Sequence, residues 1–261
     1  MQQPLCMIAL LIGWCAGLFS GAAALDGELS HNQRISSSHL GYDLQYRVYT
    51  PEGVENLANL PTLYLTDGQG YISSGQMPRV LDKEIKAGRV RPMVAVFVDP
   101  RDPDNLRNNR RNYQFFCNQD YLKFFVTELV PRISDDYPVS YSKQDRAVMG
   151  LSFGGLNAAC FGLMAPSVFG AIGMQSPAIH PVPILRELYE KEDTRDIRIF
   201  FSLGKIRDNT EVGRDLKRIL EMKGYDMHYV EVNASHTWRN WRPLLDDALQ
   251  YFFPAQAAQA R

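Results

Sequence analysis

The sequence predicts an α/β fold: a doubly wound, mainly parallel sheet with helices on both faces. Three observations lead there. Strand-like and helix-like segments alternate along the chain. Residues 93–98 (MVAVFV) and 197–203 (IRIFFSL) are nearly unbroken apolar runs, the mark of strands covered on both faces. No linker divides the pattern. The 261 residues, 45% of them hydrophobic, suffice for a substantial core. Twenty-eight Lys and Arg against 29 Asp and Glu leave the chain nearly neutral, which argues against nucleic acid or a polybasic membrane surface as partner. The ordinary composition excludes disorder, collagen-like repeats and a disulfide scaffold.

Residues 1–24 carry no charge. Their apolar run, residues 5–19, is short of the roughly 20 residues a membrane-crossing helix needs. Ser20-Gly21-Ala22-Ala23-Ala24 follows, small residues of the kind a signal peptidase accepts. These features predict a signal peptide over 1–24 and a periplasmic or secreted domain over 25–261.

Residues 26–40 read as a polar, loose lead-in. Tyr42, Leu44, Tyr46 and Val48 alternate with mostly polar neighbours and predict a strand ended by Pro51. A second strand over 60–65 stops at Thr66-Asp67-Gly68, and Val80, Leu81 and Ile85 share one face of a helix over 76–86. After the strand 93–98, the polar stretch 99–118 reads as a functional loop. A helix over 119–135 follows. The strand 146–150 then runs into Ser152 and a small-residue helix through Leu163. Strands over 169–174, 197–203 and 227–232 alternate with helices over 184–189, 211–223 and 241–253, with Gly224 placed as a helix C-cap.

Gly150-Leu151-Ser152-Phe153-Gly154 is a G-x-S-x-G sequence with an apolar strand entering it and a helix leaving. The glycines suit a tight strand-to-helix turn that presents the serine as a nucleophile. The helix start offers free N–H groups to an oxyanion. A serine hydroxyl needs a base, and His180, His228 and His236 all follow it. His228 falls within a strand and His180 beside Pro181. His236 lies between the last strand and the last helix, where an α/β-hydrolase carries its base. For the acid, the turn after strand 197–203 offers Asp208 first and Glu211 next, although either residue type also caps helices. The oxyanion donors expected are the backbone N–H groups of Phe153 and of Gln69, in Asp67-Gly68-Gln69-Gly70. With Cys6 and Cys15 inside the leader, Cys117 and Cys160 remain, and the simpler expectation is two buried free thiols. No Cys/His spacing suggests zinc, so neither metal nor organic cofactor is expected.

From about Tyr42 to Phe252 these motifs together resemble the esterase-D-like α/β-hydrolases, and within them the enterochelin (siderophore trilactone) esterases. The Asp67-Gly68-Gln69 turn is similar to that family's oxyanion segment. Arg111-Asn112-Tyr113-Gln114-Phe115-Phe116-Cys117-Asn118 is similar to its R-x-x-E-L-x-C-N block, with Gln114 in place of Glu. Ser152-Phe153-Gly154-Gly155 and the His236, Trp241 and Arg242 spacing are similar too. Ala234-Ser235 stand where the family has Gly-Gly, so the histidine loop is expected to take another path. The resemblance implies the compact periplasmic type, a catecholate siderophore as the ester substrate, and Arg111 facing its anionic rings. Two alternatives share the residues: a feruloyl or short-acyl esterase or acyltransferase, and a siderophore-binding protein without catalysis.

Overall fold

In a computed structural model of the chain the described residues are 25–255. The expected signal peptide lies outside them. The lead-in forms two short strands, β1 (Glu28–Leu29) and β2 (Gln33–Ser37), both antiparallel to the long β3 (Tyr42–Thr50). Then come β4 (Thr62–Thr66), α1 (Gly68–Ser73), α2 (Met77–Lys86) and β5 (Val94–Asp99). The expected loop 99–118 is instead a small exposed hairpin, β6 (Arg101–Asp102) and β7 (Asn105–Asn109), and a short helix, α3 (Arg111–Phe115). The helix expected over 119–135 comprises α4 (Gln119–Phe124), a π-helical stretch (Phe125–Leu129) and α5 (Val130–Asp136). Next are β8 (Arg146–Leu151), α6 (Phe153–Met164), β9 (Ala171–Gln175), α7 (Ile184–Lys191), β10 (Arg198–Gly204) and α8 (Thr210–Met222). β11 (Asp226–Val232), α9 (Trp238–Trp241) and α10 (Leu245–Phe252) follow, the last two in place of a single final helix.

The main sheet runs β1-β3-β5-β4-β8-β9-β10-β11, with β2 also on β3. From β5 to β11 every pairing is parallel, and only β1, β2 and β3 run antiparallel to their partners. The apolar runs are explained by a core on each face. Val94, Val96 and Val98 of β5 enter one core with Tyr64, Val148, Phe161 and Phe169. Ala95 and Phe97 enter the other with Leu63, Leu65, Met149, Leu81, Leu249 and Phe252. Each fully buried aromatic contributes about 1.5–3 kcal/mol through burial, so neither face of the strand tolerates a polar residue cheaply. The parallel order brings the carboxyl ends of β4, β8, β9 and β10 to one edge of the sheet.

Cys117 and Cys160 are bonded, not free. The Cα atoms are 5.3 Å apart, because the chain returns after α3 to lie on α6. Sequence separation of 43 hides that proximity. The chain-entropy model assigns a loop of this length about 4 kcal/mol. Replacing both cysteines by alanine should lower Tm by roughly 5–15 °C in calorimetry. An unchanged Tm would show that the bond contributes nothing to stability.

Candidate functional site

Ser152 follows the last residue of β8 in a turn with φ 56° and ψ −118°, a geometry that side chains rarely adopt. Its flanking glycines are sterically required. A Cβ on Gly150 would lie 2.3 Å from the Gly154 carbonyl carbon, and one on Gly154 would lie 2.7 Å from Thr66 Oγ1. The turn is held by the Ser152 N–H to the Gln175 carbonyl (2.8 Å) and by the Ala178 N–H to the Ser152 carbonyl (3.0 Å). Phe153 opens α6 and Gln69 sits in the first turn of α1, so both carry N–H groups with no partner inside their helices. Gly68 lets α1 start against the sheet, since a Cβ there would lie 2.4 Å from the Phe97 backbone.

Asp208 and His236 meet. His236 Nδ1 is 2.5 Å from Asp208 Oδ1, and the Asp208 side chain is fully buried. The other carboxylate oxygen, Oδ2, accepts from Ser176 Oγ (2.6 Å), Asn240 Nδ2 (3.1 Å) and the Gly204 N–H. Burial alone would raise the Asp208 carboxyl. Hydrogen bonds from His236, Ser176 and the backbone outweigh it and hold the group below the usual carboxylate range. Trp241 Nε1 in turn donates to Ser176 Oγ at 2.9 Å, and the indole lies edge-on to the His236 ring at 5.0 Å. Such an arrangement fixes one tautomer and one orientation of an imidazole, as a base requires.

Glu211, the other acid candidate, is exposed in the first turn of α8. His180 is exposed with its ring 5.6 Å from that of Phe153, and His228 stacks between Phe200 and Tyr251 on β11. Arg111 does not stand free over the site. Its guanidinium binds Asp67 and the Leu151 carbonyl, with 18% of its side chain exposed. A carboxylate as buried as Asp67 captures the nearest cation. Burial still pushes the Asp67 carboxyl up, against the pull of Arg111. Ser176 and Asn240 were not legible as site residues, because buried polar side chains have no periodicity. For Trp241 a signal existed in its spacing from His236, without a role. Beside Gln69 opens a cavity of about 300 Å³, walled by Ile72, Phe97 and Leu106 with Arg47 and Gln45 among its polar residues. Among the described residues no cluster of three His, Cys, Asp or Glu side chains is placed to hold a metal ion.

Comparisons with known proteins identify the family and the fold. The uncharacterized protein YjcH of Bacillus subtilis is 26% identical over 230 residues, 84% of this chain and 95% of that one. The iron(III) enterobactin esterase of Yersinia enterocolitica is 30% identical over 141 residues, but these are 54% of this chain and only 38% of the relative. A solved ferulic acid esterase superposes with a TM-score of 0.75 at 20% identity, covering 87% of this chain and 98% of its own. Residues 37–252 match the Esterase family, described as "Putative esterase". The chain therefore belongs to that family and is a carboxylic ester hydrolase on an α/β-hydrolase fold.

Proposed function

We propose that the chain is an exported serine esterase that opens the trilactone backbone of a catecholate siderophore. The observation that carries the serine mechanism is the Asp208–His236 pair, joined at 2.5 Å at the same sheet edge as the strained Ser152 turn. In that mechanism Ser152 attacks the ester carbonyl and His236 takes its proton, then returns it to the leaving alcohol. Asp208 orients the imidazole and stabilises its charged form. The Gln69 and Phe153 N–H groups hold the oxyanion, and water clears the acyl-enzyme.

The enterobactin esterase relative supports the siderophore substrate, as do two exposed cations on the loop that carries Asp208. Lys205 and Arg207 flank Ile206 on that loop. With Arg111 bound to Asp67, Lys205 and Arg207 take over the role of meeting anionic catecholates in this reading. A second reading, an aryl ester of feruloyl type, draws support from the ferulic acid esterase, whose length this chain nearly spans. The cavity beside Gln69 suits an aromatic acyl group in either case. Export is supported by the Cys117–Cys160 bond, since such bonds persist mainly in oxidising compartments. Among the described residues no helix is long and apolar enough to cross a membrane.

Incubation with enterobactin and with methyl ferulate, followed by mass spectrometry, separates the substrates. Linear dihydroxybenzoyl-serine products are expected, and cleavage of the ferulate alone would transfer the assignment to aryl esters. Ser152→Ala and His236→Ala should each reduce kcat by on the order of 10⁴–10⁶, with the double variant scarcely worse. Multiplicative losses would refute a shared mechanism.

Asp208 gives a pH prediction. Its folded value lies below its unfolded one, so the stability it contributes is present above the unfolded value and is lost as pH falls through the folded one. Ser176→Ala removes a donor to the charged form. The Asp208 midpoint, read by side-chain carbon NMR, should therefore rise, and acid inactivation should begin at higher pH. A midpoint that stays put would exclude Ser176 from holding the carboxylate. For export, N-terminal sequencing of periplasmic protein should begin near Leu25, whereas an intact Met1 in the membrane fraction would contradict cleavage.

A further inference from the structure

The two oxyanion donors belong to turns that no backbone ladder joins. β4 and β8 pair in register from Thr62 with Arg146 to Leu65 with Met149, and the pairing stops there. Beyond it the strands part, one into Asp67-Gly68-Gln69 and the other into Leu151-Ser152-Phe153. Thr66 Oγ1 still donates to the Met149 carbonyl, at a long 3.4 Å.

Arg111 spans the gap. Its Nε hydrogen is shared by both Asp67 oxygens, at 2.7 and 2.8 Å, and Nη2 donates to the Leu151 carbonyl at 3.1 Å. The guanidinium carbon also lies 5.1 Å from the centre of the Phe153 ring and 5.4 Å from that of Phe115. Asp67 is the N-cap of α1, in left-handed geometry with φ 57° and two residues before Gln69. Leu151 is the residue before Ser152. A planar fork can hold a carboxylate and a carbonyl at once, which an ammonium on a flexible stem does not match. The segment that carries Arg111 is itself tied to α6, the helix opened by Phe153, through Cys117–Cys160.

We infer that Arg111 is a positioning residue: it sets the separation between the Gln69 and Phe153 N–H groups by clamping the turn after β4 to the turn after β8. This rests on the esterase mechanism proposed above and assigns Arg111 no contact with substrate. Oxyanion donors act only at hydrogen-bond distance from the developing charge, and misplacement by about 1 Å can cost on the order of 10²-fold in rate. Losing the clamp therefore affects the chemical step more than substrate binding.

The test compares Arg111→Met and Arg111→Lys on a neutral p-nitrophenyl ester, with rates counted per active site titrated to completion by a fluorophosphonate. The Met variant should lose roughly 10–100-fold in kcat with KM little changed, and Lys should recover part of the loss. Inhibition by a trifluoromethyl ketone, whose adduct places an oxyanion on the same N–H groups, should weaken in parallel with kcat/KM. If the Met variant does not fold, Asp67→Asn carries the same expectation, and the Lys variant a smaller loss in kcat with KM little changed. An unchanged kcat per site would overturn the clamp. So would a loss confined to KM for an anionic ester, which would place Arg111 on the substrate. Turnover retained in Ser152→Ala would instead overturn the mechanism beneath it.

Discussion

Left-handed backbone at the carboxyl edge of the sheet is the constraint on which the site depends. Asp67, Ser152, Ser176 and Arg207 all have positive φ, between 45° and 57°, and they follow β4, β8, β9 and β10 respectively. Each such non-glycine residue costs on the order of 1–3 kcal/mol and persists only where its surroundings over-determine it. For the first three the surroundings are visible. Arg111 grips Asp67, and main-chain bonds to Gln175 and from Ala178 grip Ser152. Ser176 donates its N–H to the Ser202 carbonyl while its own carbonyl accepts from Asn209. The strain turns each strand's exit sharply, so that side chains from distant parts of the sequence converge.

Gln175 ties this convergence together at one buried residue. Its main-chain carbonyl receives the Ser152 N–H, its side-chain oxygen receives the Tyr71 hydroxyl from α1, and its amide donates to the Trp241 carbonyl. The residue is fully buried, and each of these bonds is strengthened by exclusion of water. One amide thus joins the turn of the serine, the helix of Gln69 and the indole behind Asp208.

The inner parallel strands were legible because their alternate residues enter two different cores, which leaves most of their positions apolar. Ser152, Asp208 and His236 were legible as candidates from chain order and from their places at strand ends. The pairing of Asp208 with His236 in preference to Glu211 needed the structure, because the two acids differ by less than one helical turn in sequence. The strands β1 and β2 were hidden because they are short and carry one apolar residue each, Leu29 and Ile35. Every residue of β7 is exposed, so burial offers no pattern to read. Arg111 shows a different limit. A sequence displays a cation but not the carboxylate it will meet, and only the fold brings Asp67 within reach.

The hairpin of β6 and β7 carries almost none of the molecule's packing. It is fastened by surface polar contacts, Arg101 to Asp99, Arg110 to Asp102 and the Asp43 carbonyl, and Arg34 to Asp104 and the Pro103 carbonyl at the turn, while the residues of β7 are exposed. The parts that hold Ser152, Asp208 and His236 make no use of it. Side chains along the exposed β7 are therefore free to change without cost to the turns that hold the site, whereas Gly150, Gly154 and Gln175 are not. A scaffold divided in this way is suited to divergence, because the buried strand ends that hold the site and the exposed hairpin share few contacts and can change independently.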